Sequence, residues 1–254
     1  MIEYKQWHEN LQDFIYFNSE CAVSFCQCDK NHKLSLFELL RLVTDAAVED
    51  FNQRLMGYEK LTENNVGILL SRQSFRLHKM PVVDQKICIK TWEEKPEPLQ
   101  FVRAYEIFDK ETGEKLVSGI SNWLLVDLQK RRLMPIKNFT MRKAPEKTSA
   151  HDCIPLTKIL VPDNLEKLGE RKIMYSDIDG NGHMNNARYG AFVIDALPEE
   201  FQNICFTDFK IYYNKEAVQG QMLEIFGSID SEHRKIFILG KQGNVNCFES
   251  ELYY

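Results

Sequence analysis

Apolar positions recur at helical spacing through "KLSLFELLRLVTDAAVEDFNQRLMG", Lys33–Gly57, and cover more than one face of the helix they predict. A helix that apolar is expected to be enclosed, not laid on a surface. Ser35 with Glu38 three residues later is a capping-box signature at its start, and Gly57 supplies a stop. Beyond it the pattern changes to that of strands, in "VGILLSRQSFRL", "QKICIKTWEE" and "LQFVRAYEIFDKETGEKLVSGISNWLLVDLQKRRLMPI". The turn-rich "DKETGEK" inside the last predicts a hairpin.

The second half repeats this order. A connecting region rich in Pro, Lys and Asp, 137–169, leads to a strand "RKIMYSDI". A shorter helix is predicted from near Asn185 to Pro198, followed by strands "NICFTDFKIYYNKEA", "QMLEIFGSID", "RKIFILGKQG" and "VNCFESELYY". Cys28–Phe51 aligns without gaps on Ile178–Phe201, and Asp29/Asp179, Asn31/Asn181, Val43/Val193, Asp45/Asp195 and Phe51/Phe201 coincide. A repeat this long indicates tandem domains. An apolar helix wrapped by a curved antiparallel sheet is the hotdog arrangement, so the expected fold class is α+β, a tandem (double) hotdog. The expected boundaries are 1–140 for the first domain, 141–168 for a linker and 169–254 for the second domain. Two such units in one chain mimic a two-fold dimer.

At 254 residues, 44% hydrophobic and 27% charged, the chain can bury a proper core. Its net charge of −5 excludes a general nucleic-acid binder. No apolar run approaches the roughly 20 residues of a membrane span, and "MIEYKQWHENLQDF" lacks the basic and apolar regions of a secretion signal. Seven scattered cysteines, an odd number without framework spacing, fit reduced thiols. A soluble cytoplasmic protein is expected, with neither nucleic acid nor membrane as partner.

The chemistry concentrates in "SDIDGNGHMNNARYG", Ser176–Gly190. Asp179, Asn181 and His183 alternate, which in an extended segment puts all three on one face. Asn185 and Asn186 read as helix-capping amides, and "IYYNKEA" brings Glu216 on a strand beside the helix. Together they offer two carboxylates, an amide donor and an imidazole, the parts that acyl hydrolysis needs to activate water and hold an oxyanion. Turn chemistry alone explains part of the cluster, since Asn, Asp and Gly dominate turns. In the repeat Lys33 stands over His183 and Met80 over Glu216, so one active site is expected, in the second half. The enclosed first helix then suits either an acyl tunnel or plain core packing.

Neither cofactor nor metal is expected. There is no G-x-S-x-G, H-E-x-x-H or phosphate loop, and Cys21, Cys26 and Cys28 with His32 match no usual zinc spacing. Lys130, Arg131, Arg132, Lys137, Arg142 and Lys143 form one basic stretch, read as a solvated linker or a steering patch for an acidic partner.

From Asp177 to Tyr189 the sequence resembles the acyl-acyl-carrier-protein thioesterases, with Met184 where valine is usual. Trp123–Ile136 is similar to the end of that family's first domain. The resemblance implies hydrolysis of a fatty acyl thioester carried on acyl carrier protein, ending fatty acid synthesis. It implies that Asp179 and Glu216 position and activate water, and that Asn181 and His183 hold the thioester carbonyl. The family often carries cysteine after that glutamate, whereas this chain has Ala217, which favours a water or carboxylate route over a thiol nucleophile. Plant members carry a long transit segment, so a bacterial cytoplasm is the expected setting. Alternatives are an acyl-coenzyme A thioesterase, another hotdog acyl-thioester enzyme such as a hydratase, or a non-catalytic acyl-thioester sensor. Acyl chain length stays open, as does monomer or homodimer.

Overall fold

The apolar run after Ser35 forms one helix, α1 (Leu36–Gln53), with Leu39, Leu40, Val43, Ala46 and Ala47 among its buried residues. This computed structural model describes residues 5–254 other than Gln12, so the first four residues and Gln12 of the stretch read for a leader lie outside it. Ser35 Oγ accepts from the Glu38 N–H at 3.3 Å, but the Glu38 carboxylate turns away to Arg41 at 2.7 Å. Only half of the predicted capping box therefore forms. The stop differs as well. Leu55 takes the left-handed φ of 59°, and the Met56 N–H reaches back to Phe51 O at 2.9 Å. A non-glycine residue there costs on the order of 1–2 kcal/mol, offset by burial of the next side chain, Met56, in an apolar cluster. Gly57 instead begins a short helix missed by the sequence pattern, α2 (Tyr58–Glu63).

The strands are β1 (Lys5–Leu11), β2 (Phe14–Ala22), β3 (Val66–Leu77), β4 (Lys86–Glu94), β5 (Gln100–Asp109), β6 (Lys115–Asp127) and the short β7 (Arg132–Leu133) in the first half. The second half contributes β8 (Glu166–Lys172), β9 (Asp208–Tyr213), β10 (Met222–Asp230), β11 (Lys235–Gln242) and β12 (Val245–Tyr253), with α3 (Arg188–Asp195) and α4 (Glu199–Gln202) between β8 and β9. They form one antiparallel sheet ordered β1-β2-β4-β5-β6-β3-β9-β12-β11-β10-β8, with β7 on β6. The halves join where β3 pairs β9, with Gln73 opposite Ile211. Outward from that seam run β3, β6, β5, β4, β2 on one side and β9, β12, β11, β10, β8 on the other, the same order twice. This is the α+β double hotdog. The predicted hairpin joins β5 to β6, with Gly113 at a φ of 73° in its turn.

Helices α1 and α3 meet inside the curved sheet. A Cβ on Gly190 would lie 2.9 Å from Leu40 Cδ1 and 3.3 Å from backbone atoms of Leu36 and Phe37, so glycine permits this approach. The core runs across both halves, from Phe17 and Leu39 through Phe75 and Phe192 to Phe248.

Three expectations need correction. "RKIMYSDI" is not a strand along its length, because β8 ends at Lys172 and Tyr175–Asp177 form a 3-10 turn. The buried Asp177 carboxylate caps the Met174 N–H at 2.9 Å and diverts the backbone there. "NICFTDFKIYYNKEA" is strand only over Asp208–Tyr213, since the Asn214 and Lys215 N–H groups both donate to Cys247 O, at 2.8 and 3.1 Å, and turn the chain out of the ladder. Within the basic run, Arg142 is not solvated, whereas Arg131, Arg132 and Lys137 are exposed. Arg142 is buried, pairs with Glu93 and lies over the Phe51, Phe101 and Phe139 rings. Lys130 pairs with Asp127 and Lys143 with Glu146. Residues 139–165 carry no helix or strand.

Candidate active site

Asp179, Asn181 and His183 do not alternate along an extended segment. They sit on a tight turn closed by the Ile178–Met184 bridge. The Asp179 N–H donates to His183 O at 2.9 Å, and the Gly182 N–H donates to Asp179 O at 3.0 Å. Asp179 Oδ1 accepts the Asn181 N–H at 2.8 Å, the side-chain-to-backbone bond that makes Asp favourable in turns. Gly182 adopts a φ of 81°, where an L side chain would be strained.

A second loop carries Glu216. It lies after β9 and not on a strand, a further correction. The Met184 N–H donates to Ala217 O at 2.7 Å and pins the two loops together. As a result His183 Nε2 lies 3.2 Å from Glu216 Oε2, with both side chains partly open to solvent.

The helix start is also displaced. Asn185 Oδ1 accepts the Ala187 N–H at 2.9 Å, a turn bond ahead of the helix and not the expected cap, because α3 begins three residues later, at Arg188, with Ala187 as its N-cap. Asn186 contributes its carbonyl oxygen, 3.2 Å from the Tyr213 hydroxyl, which also lies 3.0 Å from Gln73 Oε1. Burial pushes Tyr213 well above the ordinary tyrosine value, so its hydroxyl stays protonated and donates. Gln73 and Tyr213 thus tie the first half's β3 to the base of the site turn. The sequence pattern gives no signal for that link, because both residues read as ordinary strand positions.

An apolar cavity of about 190 Å³ opens beside the turn. Phe51, Met56, Leu61, Phe101 and Trp123 of the first half line it, and the exposed Asn181 forms part of its wall. Glu93 and Arg103 also border it. They belong to a buried ionic group in which Arg103 Nη2 lies 2.7 Å from Asp50 Oδ2 and Arg54 Nη1 lies 2.9 Å from Glu93 Oε2. Burial works against the Asp50 carboxylate, but the Arg103 and Arg54 guanidiniums outweigh it and hold Asp50 below its ordinary value.

The arrangement pairs an imidazole, on the turn that also carries Asp179 and Asn181, with a carboxylate, and of these residues Asn181 borders the apolar cavity. Residues 15–142 match the acyl-ACP thioesterase N-terminal domain and residues 163–246 the acyl-ACP thioesterase C-terminal domain. The chain belongs to the acyl-ACP thioesterase family.

Within that family, the fold is similar to a crystal structure of an acyl-ACP thioesterase from Bacteroides thetaiotaomicron, with a TM-score of 0.83 and 24% identity over 94% of this chain and 97% of that one. It is similar also to the 12:0-ACP thioesterase of Umbellularia californica, with a TM-score of 0.80 and 16% identity over 94% and 96% of the two chains. In sequence it is 24% identical over 171 residues to a chloroplastic acyl-[acyl-carrier-protein] hydrolase of Cuphea viscosissima. That match takes in 64% of this chain and 41% of the relative's length. Among the described residues, no helix is long and apolar enough to cross a membrane.

Proposed function

We propose that the protein hydrolyses fatty acyl-[acyl-carrier-protein] to free fatty acid and holo-carrier, the step that ends fatty acid synthesis. The observation that carries this reading is the 3.2 Å contact between His183 Nε2 and Glu216 Oε2 on loops held beside the first half's apolar cavity. The acyl chain enters that cavity past Asn181, which leaves the thioester carbonyl at the Asp179–His183 turn. Glu216 and Asp179 orient and deprotonate water, and Asn181 and His183 stabilise the oxyanion as the carbon becomes tetrahedral. Collapse of the intermediate expels the phosphopantetheine thiolate, which takes up the proton that Glu216 drew from water.

The division of labour follows the domains: 1–140 hold the acyl chain and 169–254 carry the chemistry, with 141–168 between them. Ala217 is fully buried and has no nucleophilic atom, so the residue after Glu216 supplies no thiol nucleophile, in keeping with attack by water. The partner is acyl carrier protein, and the expected setting is a cytoplasm. No cofactor or metal takes part in this scheme.

The test is thiol release from acyl-carrier-protein thioesters of graded chain length, with Asp179→Asn and His183→Ala beside wild type. Release by wild type, lost in both variants, supports the reading. Binding without release at any length would replace it with a sensor, and a strong preference for acyl-coenzyme A would replace the substrate.

A further inference from the structure

The catalytic turn has a structural copy in the first half. There the Asp29 N–H donates to Lys33 O at 2.7 Å and the His32 N–H to Asp29 O at 3.0 Å, and Asp29 Oδ1 accepts the Asn31 N–H at 2.8 Å. A Cys28–Leu34 bridge closes this turn as Ile178–Met184 closes the other. The Leu34 N–H donates to Pro81 O at 2.7 Å, matching the bond from Met184 to Ala217. The copy therefore places Lys33 where His183 stands, and Met80 where Glu216 stands.

Like the catalytic turn, this one borders a cavity, of about 330 Å³, within the size range of small-ligand sites. Asn31, Lys33 and Met80 line it at the turn, and Phe37, Ile194 and Phe209 are among its apolar walls. The two cavities are related across the β3–β9 seam: Asn31 lines one and its repeat partner Asn181 the other. The chemistry at the turn differs. Met80 cannot activate water, so a thioester seated here would not be hydrolysed.

Lys33 is the one cation among the residues lining this cavity. Both nearby carboxylates are engaged. Asp29 Oδ1 also accepts the Lys33 N–H at 3.1 Å, and Asp195 pairs with Arg171. The Lys33 ammonium lies 3.1 Å from the Cys205 thiol on the cavity wall, and no ion pair of Lys33 is found among the described residues. A cation at the head of an apolar cavity complements an aliphatic chain with an anionic head group, of which a fatty carboxylate is the simplest.

We infer that this second cavity binds a fatty carboxylate, with its head group on Lys33 and its chain against Phe37, Ile194 and Phe209. The inference rests on the proposed hydrolase only in that a fatty acid is that reaction's product; binding itself needs neither His183 nor Glu216.

The exposed Cys205 serves as the reporter. Its alkylation by iodoacetamide, followed by peptide mass spectrometry, is measured with and without dodecanoate below its micelle concentration. Cys26, exposed and outside the cavity, is the internal control. With dodecanoate at about ten times its Kd, alkylation of Cys205 is expected to slow roughly tenfold while Cys26 is unchanged. Glu216→Gln, which removes the proposed base, is expected to show the same protection, so loss of hydrolysis and loss of binding are told apart. Lys33→Glu is expected to abolish protection. Ile194→Trp, which fills the cavity and leaves Lys33 in place, is expected to abolish it independently. Absence of protection in wild type overturns the inference, as does full protection in either cavity variant. Equal protection by dodecanol overturns the carboxylate assignment.

Discussion

The Met184 N–H donates to Ala217 O at 2.7 Å, and this one hydrogen bond sets the spacing of the candidate catalytic pair. His183 precedes the donor and Glu216 precedes the acceptor, so the backbone bond fixes both side chains from the residue next door. Because the bond uses the Ala217 carbonyl and not its side chain, position 217 tolerates exchange. Ala217→Cys is expected to leave kcat near wild type, with a modest overpacking cost of about 1 kcal/mol at this buried site. Steady-state hydrolysis checks this, and a gain of about a hundredfold would show that a thiol nucleophile is the better route here.

Close helix approach at Gly190 leads to a stability prediction. Gly190→Ala pushes a methyl group toward Leu40 and the backbone of Leu36 and Phe37, and is expected to cost about 1–3 kcal/mol in urea unfolding. Leu40→Ala combined with it is expected to recover part of the strain, seen as non-additivity. Strict additivity would mean that the two residues do not meet.

The cavity beside Asn181 ends on large side chains, so its reach is adjustable. Met56→Ala and Leu61→Ala are expected to move the preference toward longer acyl chains, and Met56→Trp toward shorter ones. The kcat/KM values across a chain-length series check the direction. An unchanged profile in all three variants would place the chain elsewhere.

Acid stability follows from Glu94. Its burial pushes the carboxyl up, but hydrogen bonds from His151 at 3.0 Å and from Ser149 outweigh this and hold it below its ordinary 4.5. A carboxyl depressed in the folded state contributes stability that is fully present above 4.5 and is lost as pH falls through the lowered value. Asp50, lowered from 3.8 mainly by Arg103 and Arg54 against burial, extends the loss to lower pH. Unfolding free energy should therefore fall from pH 5 toward pH 3, and Glu94→Gln should flatten the upper part of that fall. An equal slope in the variant would remove Glu94 from the account.

Much of this architecture is legible in the sequence. The apolar faces of Leu36–Gln53 and the repeated strand order lead to the double hotdog, and Asp179, Asn181, His183 and Glu216 stand out by chemistry and by family resemblance. Local geometry is less accessible. Alternating polar residues suggest a strand, yet the Asp179 carboxylate binds the N–H two residues on and closes a turn. Leu55 in a left-handed conformation leaves no mark in composition, so Gly57 reads as the stop. Arg142 reads as a solvated linker residue because its partners, Glu93 and three aromatic rings, come from distant segments. Gln73 and Tyr213 escape for the same reason, being 140 positions apart.

The most direct test of the central claim is kcat for release of holo-carrier from dodecanoyl-acyl carrier protein by wild type and Glu216→Gln, with melting temperature measured on the same samples. Glu216 is half-exposed and its loop is held by backbone bonds, so the substitution should leave the melting temperature unchanged. The account predicts a fall in kcat of about 100- to 10,000-fold, the range for loss of a positioned general base. A variant that melts like wild type and turns over at the wild-type rate would contradict it.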